Sequence, residues 1–166
     1  MAPRFDIAPA VREDLPAVLG MIRGLAAYEN LAQHCVATEA DLADSLFGED
    51  PSAEVLLGRE NTEPVAFALF FYNFSTFLGR KGLYLEDLFV WPAYRGRGYG
   101  RALLVHLARK AVDERCGRFE WAVLDWNAPA IGFYQALGAV LLPEWRISRV
   151  TGESLARLAA QPLFNR

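Results

Sequence analysis

Residues 95–101 read Arg95-Gly96-Arg97-Gly98-Tyr99-Gly100-Arg101, between an apolar run over 83–91 and the helix-patterned Ala102-Leu103-Leu104-Val105-His106-Leu107-Ala108. A strand that enters a glycine-rich turn and leaves it as a helix commits the chain to layered α/β architecture. Glycine at every second position lets backbone approach a ligand closely. The first N–H groups of the helix have no internal partner, so the turn is suited to cradle an anion such as a pyrophosphate. The spacing excludes two common cradles. A dinucleotide fingerprint requires glycine where Arg101 stands, and a triphosphate loop requires lysine followed by serine or threonine beside its final glycine.

Composition narrows the class further. A chain of 166 residues that is 53% hydrophobic and 22% charged has the means for one folded domain, here expected to span 1–166. A formal net charge of −3 disfavours a general nucleic-acid surface, so no nucleic-acid partner is expected. Residues 1–12 hold no signal-like apolar core and the longest apolar run, 65–72, is too short to span a bilayer. A cytoplasmic protein without membrane contact is therefore expected. Cys35 and Cys116 have no metal-binding spacing. His34 and His106 are the only histidines, and neither lies near a nucleophile motif.

Hydrophobic periodicity orders the elements. Residues 5–8 read as a strand, followed by a helix opening near Arg12-Glu13-Asp14 and carrying Leu15, Val18, Leu19, Ile22 and Leu25 on one stripe. Thr38 and Asp41 form a capping-box pattern before a helix over 39–47. Strands follow over 53–58 and 65–74, joined by a turn at Asn61-Thr62-Glu63-Pro64, and a fourth over 82–91. After the helix that follows the glycine turn come a fifth strand over 118–124 and a short helix over 128–137 closed by Gly138. This succession predicts an α/β fold with a mixed, mostly antiparallel central sheet flanked by helices.

Three segments in this order resemble the GNAT acetyltransferases: Leu83-Tyr84-Leu85-Glu86-Asp87-Leu88-Phe89-Val90, then Tyr94 to Gly100, then Asp125-Trp126-Asn127-Ala128-Pro129-Ala130 with Phe133-Tyr134 and Gly138-Ala139. With Ala27-Tyr28-Glu29 and residues 38–42, the chain is most similar to the diamine acetyltransferases, a group that includes thialysine-acetylating members. The resemblance implies a homodimer. It also implies that acetyl-CoA lies between two splayed strands, held by Leu88, Phe89, Val90, Arg95, Gly96, Arg97, Gly98, Tyr99, Gly100 and Arg101, and by Asn127, Ala128, Pro129 and Ala130. No metal is required. A small cationic amine would meet Tyr28, Glu29, Glu86 and Glu144.

The chemistry of these residues fits that expectation. An alkylamine is mostly an ammonium ion at neutral pH and must lose a proton before attacking a thioester. Alternation along the fourth strand puts Glu86 and Asp87 on opposite faces, with Glu86 sharing a face with Tyr84, Leu88 and Val90. Partial desolvation there would raise its carboxyl, so Glu86 is the expected base and Asp87 a structural acceptor. Asn127 before Ala128-Pro129 reads as a helix cap. The resemblance places Tyr134 against the leaving sulfur as proton donor. The alternative is a non-catalytic acyl-CoA-binding module, which would need neither Glu86 nor Tyr134.

Overall fold

A computed structural model describes residues 4–164, so the first three residues of the N-terminal stretch considered above lie outside it. Contacts divide the chain into two compact units, Met1–Ala122 and Val123–Arg166. The first unit carries strands β1 (Phe5–Pro9), β2 (Glu54–Glu60), β3 (Glu63–Ser75), β4 (Arg80–Val90) and β5 (Phe119–Trp121), with helices α1 (Leu15–Tyr28), α2 (Glu39–Phe47) and α3 (Tyr99–Asp113). They form one sheet in the order β1-β2-β3-β4-β5, antiparallel throughout except for the parallel pair β4/β5. The expected mixed, mostly antiparallel sheet is thus present.

Local chemistry accounts for the boundaries. A single 3₁₀ turn, Arg12–Asp14, precedes α1, whose second residue is Pro16, where a missing N–H costs nothing. Thr38 and Asp41 close the capping box at the start of α2, with Asp41 N to Thr38 Oγ1 at 3.2 Å and Thr38 N to Asp41 Oδ2 at 2.9 Å. The β2–β3 turn is shorter than expected. Only Asn61 and Thr62 lie between the strands, with Asn61 at φ 58°. Pro64 enters β3 because a register shift between Gly58 and Arg59 interrupts the ladder opposite it, so its missing N–H is tolerated.

One sheet face packs Leu57, Phe67 and Phe89 against Leu15, Val18 and Met21 of α1 and Leu46 of α2. The other face is covered by α3, whose Leu103 and Leu107 are fully buried and whose Lys110 lies 5.8 Å from the centre of the Phe70 ring. Burying each leucine stabilises the unit by about 1.5–3 kcal/mol. Glu114 ties the end of this helix to the sheet, accepting Lys110 at 2.7 Å and Lys81 at 2.6 Å. Because α3 connects β4 to the parallel β5, the glycine loop lies where chain leaves the carboxyl end of β4.

The second unit begins with α4 (Ala128–Ala136) and ends with α5 (Gly152–Ala159), which the sequence pattern did not announce. The fifth strand is shorter than its apolar pattern: it pairs only over Leu83–Leu85 with Phe119–Trp121, and residues 122–124 are not extended-paired.

Candidate active site

The decisive local feature is a bulge in β4. Phe70 pairs with Leu85 and Leu69 with Asp87, leaving Glu86 as an extra residue without a partner on β3. Register then assigns the faces. Leu85, Leu88 and Val90 lie opposite Phe70, Ala68 and Ala66, whereas Tyr84, Asp87 and Phe89 lie opposite Phe71, Leu69 and Phe67. Strict alternation along β4 therefore fails: Tyr84 shares a face with Asp87 and Phe89 instead of with Leu88 and Val90, and the register assigns no face to Glu86. Glu86 is exposed at the bulge, while Asp87 is the half-buried carboxylate on the face that carries α1.

Burial pushes the Asp87 carboxyl up to about 6, and the neighbouring charges of Glu86 and Glu29 push in the same direction. Glu29, just past the end of α1, is also raised, by its own burial. Three carboxylates thus converge on one region of the first unit. Like charges held together disfavour full ionisation and favour any cation that enters among them. Asp87 is the member that sequence reasoning assigned to structure. The Glu-Asp pair was visible, but the bulge that leaves Glu86 unpaired beside Asp87 was not.

Beyond Leu85, β4 has no strand partner on its β5 side among the described residues, so the backbone from Glu86 to Val90 is unpaired along that edge. The Phe89 side chain belongs to the core cluster, leaving its backbone for any ligand along the strand. Chain then passes a 3₁₀ turn, Pro92–Tyr94, into the glycine loop. Gly96 at φ 77° and Gly98 at φ 83° are left-handed, and an added Cβ at either would project into open space. Gly98 is the N-cap of α3, and the first helical amide with a backbone partner is Ala102, bonded to the Gly98 carbonyl at 2.9 Å. The amides before it, with the open ground over the glycines, fit an anionic group.

The three loop arginines have distinct environments. Arg95 donates from Nε to the Val90 carbonyl at 2.9 Å and lies over the rings of Tyr28 at 4.9 Å and Phe89 at 5.5 Å. It thereby joins the loop to the Tyr28–Glu29 end of α1. Arg97 is engaged by Glu60, and Arg101 is exposed on the first turn of α3.

In the second unit Asn127 is buried and caps α4, its Oδ1 accepting the Ala130 amide at 3.3 Å, with Pro129 in the first turn. Tyr134 is half-buried, its ring centre 5.4 Å from that of Phe133. Glu144 is exposed beside a turn in which the Trp145 amide bonds the Leu142 carbonyl at 3.2 Å.

Residues 13–139 match the acetyltransferase (GNAT) family. The chain belongs to that family. It is 37% identical to a thialysine N-epsilon-acetyltransferase of Sus scrofa, over 93% of this chain and 97% of that protein. It is 33% identical to L-ornithine N5-acetyltransferase of Arabidopsis thaliana, over 88% of this chain and 84% of that one. Among solved structures, an integron cassette protein from the mobile metagenome of V. cholerae superposes with a TM-score of 0.80 at 29% identity, covering 95% of this chain and 98% of that one. The acetyltransferase fold expected from the three motif segments is present, and the chain is a GNAT N-acetyltransferase. Among the described residues, no helix is long and apolar enough to cross a membrane.

Proposed function

We propose that this enzyme transfers the acetyl group of acetyl-CoA to a primary amine of a small substrate that carries at least one further positive charge. The observation that carries this reading is the convergence of Glu29, Glu86 and Asp87 beside an unpaired strand edge that leads into the glycine loop. A site that crowds three carboxylates favours a dication over a monoamine, since each added ammonium relieves repulsion already built in. The side-chain amines named for the thialysine and ornithine enzymes belong to the same chemical class.

In this reading the amides opening α3, with Gly96, Gly98 and Gly100, hold the pyrophosphate. The backbone of Leu88, Phe89 and Val90 pairs with the pantetheine arm, and Asn127 to Ala130 complete the cofactor contacts. Acetyl-CoA supplies an activated carbonyl. Asp87 and Glu29 bind the ammonium groups. Glu86, at the solvent-facing bulge, takes the proton that the attacking nitrogen must lose, directly or through a water. The new N–C bond forms as the C–S bond breaks, and Tyr134 gives its phenolic proton to the departing sulfur. Residues 1–166 act as one catalytic domain in the cytoplasm, and as a homodimer. Sedimentation equilibrium of the full chain checks the last of these.

The deciding experiment follows thiol release from acetyl-CoA with putrescine, spermidine, ornithine, lysine, thialysine and a monoamine of matched length. Release should be fastest with the dications. Glu86→Gln should lower kcat by about 10²-fold, within the usual range for a lost acid or base. Binding of CoA without acceleration by any amine would overturn the catalytic assignment.

A further inference from the structure

Arg97 stands between two left-handed glycines, Gly96 and Gly98, where backbone has the most freedom to wander. Its Nη1 donates to both carboxylate oxygens of Glu60, at 2.8 and 2.7 Å, and its Nη2 to the Ala93 carbonyl at 3.2 Å. The guanidinium also lies 5.1 Å from the centre of the Tyr94 ring. Glu60 is the last residue of β2, and the same carboxylate accepts the phenol of Tyr99, the first residue of α3. One side chain therefore grips the loop on both sides of Gly98.

The grip is itself anchored in the sheet. The Tyr99 ring is buried and stacks parallel on Phe5 at 3.9 Å between centres. Phe5 is the register partner of Glu60, and its ring comes within 2.5 Å of where a Cβ on Gly58 would lie. Only glycine at 58 leaves room for that stack. The chain of contacts runs Gly58, Phe5, Tyr99, Glu60, Arg97, and every link lies within the first unit.

We infer that Glu60 is a positioning residue for the cofactor: it holds the glycine loop in its anion-binding shape through Arg97 and Tyr99, so that Arg97 contributes order to the loop and not a free charge to the ligand. This rests on the reading of the loop as the pyrophosphate cradle. A loop preset in this way spares the ligand the entropy of fixing two glycines. It also revises the expectation that Arg97 itself binds the pyrophosphate. Its charge is matched at short range by a carboxylate that is only 12% exposed.

The test uses the full chain, with calorimetry of CoA and of pantetheine, which lacks the pyrophosphate, alongside steady-state kinetics. Glu60→Gln should raise the Kd for CoA and the KM for acetyl-CoA about tenfold, the scale of one lost charge-assisted bond. Pantetheine affinity and kcat should stay within about twofold. A general loss of fold would instead depress both affinities and kcat together, and that pattern would overturn the positioning role. Arg97→Lys, which keeps the charge but loses the two-pronged geometry, should weaken CoA binding to a similar degree. Unchanged CoA affinity in either variant would overturn the inference, and so would tighter binding by Glu60→Gln, which would make Arg97 a phosphate ligand restrained by Glu60. Failure of the parent protein to bind CoA would overturn the cradle reading itself, and is read in the parent alone.

Discussion

Replacing Asp87 by asparagine should make the protein more stable at neutral pH and less able to hold a polycation. The carboxyl is raised from its ordinary 3.8 to about 6, first by burial and then by the charges of Glu86 and Glu29. A group whose folded-state pKa is raised stabilises the fold only while protonated: its benefit is complete below about 3.8 and is lost as pH rises through about 6. At pH 8 the ionised carboxylate is a burden, nominally about 3 kcal/mol at ~1.36 kcal/mol per pH unit. Relaxation and water entry reduce this, so about 1–2 kcal/mol is the working expectation. Asparagine keeps the volume and removes the charge. Urea denaturation of both proteins at pH 8 and at pH 4 measures the difference. The variant should gain about 1–2 kcal/mol at pH 8 and almost nothing at pH 4. Putrescine should stabilise the parent at pH 8 and the variant much less. An Asp87→Asn protein equal to or weaker than the parent at pH 8 would refute the argument that buried like charges strain this site.

Tyr134→Phe removes one hydroxyl and should lower kcat at least about tenfold with acetyl-CoA affinity little changed; a kcat within about twofold in a chemistry-limited assay would return the tyrosine to packing. Gly98→Ala forces a Cβ onto a residue at φ 83°, so calorimetry should show weaker CoA binding together with a stability loss of about 1 kcal/mol. Glu114→Gln should destabilise the fold at pH 7. Lys110 and then Lys81 pull the Glu114 carboxyl down to about 2, so its contribution is present above about 4.5 and fades as pH falls toward 2. For a partly exposed cluster about 1 kcal/mol is expected, read as the gap between parent and variant in denaturation midpoints at pH 7, closing at pH 2–3.

Much of the fold was legible because its signals are local. The Thr38–Asp41 cap, the leucine stripe of α3 and the strand–glycine–helix order depend on residues within one turn of one another, and each appears where the spacing puts it. The β2–β3 turn departs from the expectation for a complementary reason: proline reads as a strand breaker, and it is tolerated here because β3 supplies an extra residue, Val65, between the pairs Arg59–Pro64 and Gly58–Ala66, which only the two strands together define. Asp87 lies opposite the Leu88 and Val90 face, as alternation requires, but the loss of Glu86 from the pairing was beyond reach in the same way. A bulge is a property of a pair of strands, and nothing within residues 80–90 says that β3 will supply one residue where β4 supplies two.

That single extra residue has a chemical consequence. Without it, period-two alternation would send one carboxylate to each face of a buried sheet, and each would need its own partner. With it, the strand keeps Leu85, Leu88 and Val90 on one face and Asp87, coupled to Glu29, on the other, while Glu86 drops out of the pairing and stays exposed. Two adjacent acids thereby acquire different environments, one half-buried with a raised carboxyl and one exposed, on a strand edge that already lacks a partner. In the proposed mechanism, binding an ammonium and removing its proton call for such a difference between neighbours. The bulge supplies it without a change of residue type, so restoring simple pairing, by deleting Leu88 or inserting a residue after Leu69, should abolish acetylation even if CoA still binds.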